Sequence, residues 1–127
     1  MGKSNTKPIR PFQKWKMTYK LAFTKSFGRE LKKLKKKYPS ILADLDKIAV
    51  QLLEKPSLGD PVYKNCYKVR VPISSMDKGK SGSARLITYV VYSESTIFLI
   101  AIFTKAERSS IPDKEIKLLI KKLEDEK

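Results

Sequence analysis

The spacing of apolar residues changes several times along the chain, and each change marks an element. In TYKLAFT, Tyr19, Leu21 and Phe23 alternate with other residues, the period-two signature of a half-buried strand. The period then lengthens. Phe27, Leu31, Leu34 and Tyr38 recur at helical spacing through KSFGRELKKLKKKY. Thr24 or Ser26 stands where an N-cap belongs, and Pro39 stops the helix. Ser40 is placed to cap a second helix, with Ile41, Leu45, Ile48 and Leu52 as its stripe and Pro56 as its end. Two helices joined by so tight a break form a helical hairpin.

SLGDPVYKN reads as loop. CYKVRVPI then alternates, with Tyr67, Val69, Val71 and Ile73 on one face and Lys68 and Arg70 on the other. SSMDKGKSGS is a loop longer than a tight hairpin turn. ARLITYVVY and STIFLIAIFT are two more strands, joined by SES. The second is apolar on both faces, which predicts a central strand covered twice. Beyond the polar KAERSSIPD, a last helix carries Ile116, Leu119, Ile120 and Leu123 as its stripe. The order is β-α-α-β-β-β-α, and strands joined by short turns pair antiparallel. The expected fold is α+β: a small twisted antiparallel sheet packed by an N-terminal helical hairpin, with a C-terminal helix. Residues 1–17 carry no acid and two prolines, and read as a basic arm before a domain spanning 18–127.

Composition narrows the chemistry. A chain of 127 residues suits one domain with a single buried core. A net charge of +15 points to polyanionic partners, meaning nucleic acid or an acidic protein. The lone Cys66 permits no internal disulfide and suits a reducing compartment. There is no histidine, which removes the usual zinc sites, the Ser-His-Asp triad and a paired-histidine ribonuclease mechanism. It also leaves Cys66 without an activating base, so Cys66 reads as a small core or edge residue. No apolar run approaches the roughly 20 residues of a membrane span. The N-terminus lacks the apolar segment of a signal peptide. A cytoplasmic protein without metal or cofactor is expected.

The cations are arranged, not scattered. Lys68 and Arg70 share one face of a strand, and Arg85 opens the next, so all three can face one shallow surface. Lys105 and Arg108 follow the last strand and can reach the same rim. The loop with Lys78 and Lys80 can close over it, and Lys64 adds a further RNA-binding candidate. Such a surface suits phosphate, because arginine binds it bidentately and lysine as a compact charge. The run Lys32, Lys33, Lys35, Lys36 and Lys37 reads instead as a solvated helix face.

At these residues the chain resembles a known family. NCYKVR, KGKSGSARLITYVV and IFLIAIFTKAERSSI are similar to the RelE/ParE superfamily of type II toxin–antitoxin toxins, nearest to its RelE/HigB-like branch. FGRELKKLKKKYPSI and LEKPSLGDP resemble the same branch, and the likeness runs from about Tyr19 to Leu123. It implies a ribosome-dependent mRNA endonuclease that needs no metal and is neutralised by a cognate acidic antitoxin. The family's basic positions fall on Lys68, Arg70, Arg85, Lys105 and Arg108. Two positions depart: Ala106 stands where RelE has a further arginine, and Pro112 where it has a catalytic tyrosine.

RNA supplies its own nucleophile in the 2′-OH. Without histidine, Lys68 is the first choice of general base. Arg70 and Arg85 would stabilise the phosphorane charge, and Arg108 or Lys105 would meet the leaving side. Glu107, Tyr89 and the loop lysines are the other candidates for proton transfer. Two other readings share the fold: a gyrase inhibitor of the ParE type and a non-catalytic nucleic-acid-binding module.

Overall fold

The computed structural model describes residues 18–76 and 83–126. A five-stranded sheet has the order β1-β5-β4-β3-β2, from β1 (Lys20–Phe23), β2 (Asp60–Tyr63), β3 (Cys66–Pro72), β4 (Ser83–Val91) and β5 (Thr96–Thr104). Helices α1 (Lys25–Lys37) and α2 (Ile41–Glu54) form the hairpin, and α3 (Asp113–Glu126) closes the chain. The α+β class and the order of the expected elements agree with the sequence reading; the antiparallel sheet expected there takes one correction and one addition.

The first is the direction of β1, which pairs parallel with β5 while every other pairing is antiparallel. No short turn links these two strands, so nothing local forces an antiparallel pair. The second is β2, which arises within the segment expected to be loop. Its Pro61 lacks an N–H and is tolerated because β2 is an edge. A tight turn through Lys64 and Asn65 joins β2 to β3, with Asn65 at φ 59°. Asparagine tolerates that left-handed conformation better than most residues.

Thr24 caps α1, its hydroxyl accepting the Phe27 N–H at 3.2 Å. Ser40 occupies the N-cap position of α2 but makes no capping bond from its side chain. Its hydroxyl donates to Asp44 Oδ2 at 2.7 Å and accepts the Ser75 N–H at 2.9 Å. The expected cap is thus spent on a tertiary contact that ties α2 to the segment after β3.

The core lies on both faces of the sheet, as the doubly apolar β5 led one to expect. The helical hairpin covers the first face, where Phe27, Leu34, Ile41, Ile48 and Leu52 meet Val69, Val71, Leu86, Val90, Ile97 and Ile102. Helix α3 covers part of the second, where Ile116 and Leu123 meet Cys66, Ile87, Phe98, Ile100 and Phe103. Strand β5 serves both layers, as its two apolar faces require. Ile87 pairs with Ala101 and Thr88 with Leu99, so Ile100 is a bulged residue and joins Ala101 on the second face. Cys66 is fully buried, and burial pushes its thiol up to about 12, which fits a packing role. Among the described residues no helix is long and apolar enough to cross a membrane.

Candidate nucleic-acid interface

The β3–β4 ladder sets Arg70 directly opposite Arg85, and the β4–β5 ladder sets Arg85 opposite Phe103. The three side chains form a row across the second face, on the part of the sheet next to the Pro72–Ser83 pairing. Lys68 stands two residues from Arg70 on the same face, half-buried and opposite Ile87. The surface expected from alternation therefore exists for Lys68, Arg70 and Arg85.

Like charges directly across a ladder repel. Here one buried hydroxyl reconciles them. Ser83, 1% exposed, accepts from Arg70 Nε at 3.2 Å and from Arg85 NH1 at 2.5 Å. Each guanidinium has five N–H donors, so most remain for a ligand. Sequence reasoning overlooked Ser83, although its spacing to Arg85 already put both on one face.

Arg108 reaches the row from beyond β5. Its guanidinium lies 5.5 Å from the centre of the Phe103 ring, a cation–π contact. Its Nε donates to Ser110 O at 2.9 Å, and its two terminal nitrogens donate to both oxygens of Glu115 at 2.8 and 2.7 Å. The fork raises the Arg108 pKa above the usual guanidinium value and holds the Glu115 carboxyl below the usual carboxylate range. Arg108 is thus docked between an aromatic face and the first turn of α3. Glu115 was not among the expected site residues, because only the return of α3 to the sheet brings it there.

The other candidates divide. Lys105 is exposed at the end of β5, beside the Ala84–Thr104 pair. Lys64 sits in the β2–β3 turn, at the opposite end of β3 from Arg70, so it does not join the row. Lys78 and Lys80 lie outside the described residues. Glu107 folds back on β5, its Oε1 accepting the Thr104 N–H at 2.9 Å and the Thr104 hydroxyl at 3.3 Å. That is the work of a strand cap. Tyr89 packs with the α3-side core, next to Cys66 and Phe98 in the ladders. Strand β2 contributes an acid that the loop reading hid, Asp60, directly opposite Lys68. Glu30 of α1 accepts the Ile102 N–H at 3.3 Å, beyond the stretch of β5 that β1 covers. Burial is the largest influence on Glu30 and raises its pKa. No group of three or more metal-ligating side chains occurs among the described residues.

No family model matches the chain, and no curated protein matches it. Solved structures do. A free Escherichia coli RelE toxin carrying two arginine-to-alanine substitutions is 24% identical, with a TM-score of 0.53, covering 72% of this chain and 88% of that one. The RelBE2 toxin–antitoxin complex of Mycobacterium tuberculosis matches at 22% identity and TM-score 0.53, over 69% of this chain and 99% of that one. The intact E. coli RelBE toxin–antitoxin complex matches at 25% and 0.50, over 68% and 95%. The fold is that of the RelE toxins.

Pro112 and Ala106 both have local places in this chain. Pro112 supplies the carbonyl that accepts the Glu115 and Ile116 N–H groups at 3.0 and 3.1 Å, so it opens α3. Its fixed φ suits the start of a helix. Ala106 lies exposed in the turn that carries Glu107 back to Thr104.

Proposed function

We propose that this protein is the toxin of a type II toxin–antitoxin system and acts as a metal-independent, ribosome-dependent mRNA endonuclease in the cytoplasm. The observation that carries the reading is the pair Arg70 and Arg85, gathered on Ser83 beside Lys68 within a RelE-like fold. In this reading the scissile phosphate lies over the pair. Lys68 takes the 2′-OH proton, the hydroxyl oxygen attacks phosphorus, and the P–O5′ bond breaks to leave a 2′,3′-cyclic phosphate and a 5′-hydroxyl whose proton comes from Lys105 or solvent. The two guanidinium groups hold the equatorial oxygens as charge develops, where preorganised donors are worth most. Arg108, set by Phe103 and Glu115, and Lys105 meet a flanking phosphate or the leaving 5′-oxygen. Lys78 and Lys80 add phosphate contacts.

An acidic antitoxin completes the proposal. The net charge of +15 invites one. A segment that folds on binding is expected to cover the face with Lys68 or to displace α3. A complex in which the antitoxin touches only the outer side of the helical hairpin would refute that occlusion.

The test is to map mRNA 5′ ends after induction, with and without ribosome inhibitors. New ends that depend on translating ribosomes are expected. Arg85→Ala should lower single-turnover cleavage by roughly 10²–10³ while the protein stays folded. Lys68→Arg should be nearly inactive, because a guanidinium cannot act as a base at accessible pH. Substantial cleavage by Lys68→Arg would reduce Lys68 to a phosphate anchor. Pro112, at the position of the family's tyrosine, gives the non-catalytic reading its footing. RNA binding with no new 5′ ends would decide for it, and failure of supercoiling before translation would favour a gyrase inhibitor.

A further inference from the structure

Among the described residues, the helical hairpin leaves an apolar surface uncovered. On the outer side of α2, Leu42, Asp46, Val50 and Glu54 follow one another at i, i+4, i+8 and i+12, so they form one exposed ridge. Leu42 is 40% exposed and Val50 61%. Phe23, at the end of β1, is 65% exposed, although its ring leans on Phe27 with centres 5.9 Å apart. Between α2 and β1 lies a groove of about 290 Å³, walled by Leu21, Phe23, Leu42, Leu45 and Ala49, with Asp46 among them. Its volume is at the lower limit of small-molecule pockets. Among the described residues β1 pairs only with β5, so the outer edge of the sheet is open beside the groove. The sign of the surface also stands apart: a chain of net charge +15 presents here an apolar ridge spaced by carboxylates.

We infer that the N-terminal arm of this same chain seats on the groove, with Phe12 and Trp15 on its apolar walls and the arm's cations beside Asp46 and Glu54. The arm runs directly into β1. Trp15 stands six residues before Leu21, a span of at most roughly 20 Å, so the groove is within its reach. Pro8 and Pro11 favour an extended, polyproline-type backbone with about three residues per turn. That period puts Ile9, Phe12 and Trp15 on one side and leaves Arg10, Lys14 and Lys16 for the carboxylates. The aromatic rings provide most of the attraction. Exposed ion pairs add little, and chiefly select sign. Tethering gives the arm an effective concentration on the order of millimolar, an advantage no separate partner has. A second copy of this chain is disfavoured, because it would bring Asp46 and Glu54 of both chains to one seam. The same carboxylates repel nucleic acid, anionic lipid and an acidic protein segment. The inference needs no nuclease chemistry and no part of the Arg70–Arg85 row.

Trp15 is the only tryptophan in the chain, so its fluorescence reports on the arm alone. Acrylamide quenching of the full chain would be measured in buffer and in urea. Quenching severalfold weaker in buffer, with emission shifted to the blue, is expected. NMR should show Overhauser contacts from the Trp15 indole to methyl groups of Leu21, Leu42 or Leu45. Leu42→Asp should remove most of the protection, and Phe12→Asp should weaken it too. Asp46→Lys should loosen the seating by about twofold, the worth of an exposed ion pair. Leu42 is exposed, so its variant should keep the wild-type circular dichroism; should it unfold, Phe12→Asp, a change in the arm itself, carries the test. Quenching as strong in buffer as in urea would overturn the inference. So would protection that neither Leu42→Asp nor Phe12→Asp alters, or indole contacts confined to α3 or to the Arg70–Arg85 row. Protection that grows with protein concentration, beside a dimer in sedimentation, would overturn it in favour of two copies exchanging arms.

Discussion

Asp44 shows how one side chain can organise distant segments. It is 5% exposed, and accepts from Ser74 Oγ at 2.6 Å, Ser74 N at 2.9 Å and Ser40 Oγ at 2.7 Å. Burial alone would raise its pKa. The donors of Ser74 and Ser40 outweigh burial, helped by Lys47, and hold the acid below the usual carboxylate value. Asp44→Asn would leave donors facing an NH₂ group. A loss of about 2 kcal/mol is expected, read as a fall in Tm of roughly 8 °C. The pH dependence has a definite sign. A depressed folded pKa means the contribution is complete well above the unfolded value of about 3.9. It declines as pH falls through that value and vanishes below the folded pKa. The difference in urea midpoint between wild type and Asp44→Asn should therefore be constant near neutrality and shrink below about pH 4.

Among the elements, β2 depends most on a single backbone position. Gly59 adopts φ +103°, a conformation strained for any other residue. A Cβ there would strike the Lys68 carbonyl and come within 2.9 Å of Val69 Cγ2. Neither neighbour is a flexible tip, so the chain entering β2 would have to move away from β3. Gly59→Ala should destabilise the fold by about 2 kcal/mol. Amide hydrogen exchange should be faster in β2 and at Lys68 than in β5. The N-cap of α1 is a milder case. Thr24→Ala removes the hydroxyl that accepts the Phe27 N–H and should cost about 1 kcal/mol, measured as a lower urea midpoint with an unchanged m-value.

At the scale of the whole molecule, positive charge is spread over both sides of the sheet. Lys32, Lys33, Lys35, Lys36 and Lys37 are exposed on α1, which packs on the first face. Arg70 and Arg85 stand on the second. A polyanion as large as a ribosome can meet both. On the proposed function, RNA affinity should fall steeply with salt, and each phosphate contact removed should reduce the logarithmic slope by roughly one. Charge reversal at Lys33, Lys36 and Lys37 is expected to weaken binding alike for all RNA sequences and leave single-turnover cleavage at saturating protein near wild type. Arg85→Ala should do the converse, sparing most of the affinity and removing the rate. Filter binding across a salt series, beside single-turnover kinetics, separates the two.

Sequence by itself determined whatever depends on near neighbours. Period-two and period-3.6 spacing located β1, β3, β4, β5 and the three helices, because side-chain direction follows local backbone geometry. Alternation put Lys68 and Arg70 on one face, and composition set the charge. The doubly apolar β5 announced a strand covered on both sides. What depends on pairing was settled only in three dimensions. β2 has four residues and a proline, and becomes a strand only by borrowing the edge of β3. β1 lies parallel to β5 because the chain returns to it after a long excursion. Ser40 was legible as a helix start, but not as a bond to Asp44 and Ser75. Ser83 became the hinge of two arginines, and Glu115 the anchor of a third, through contacts that span strands or the return of a helix. Local periodicity carries no information on such partners, since register and packing decide them.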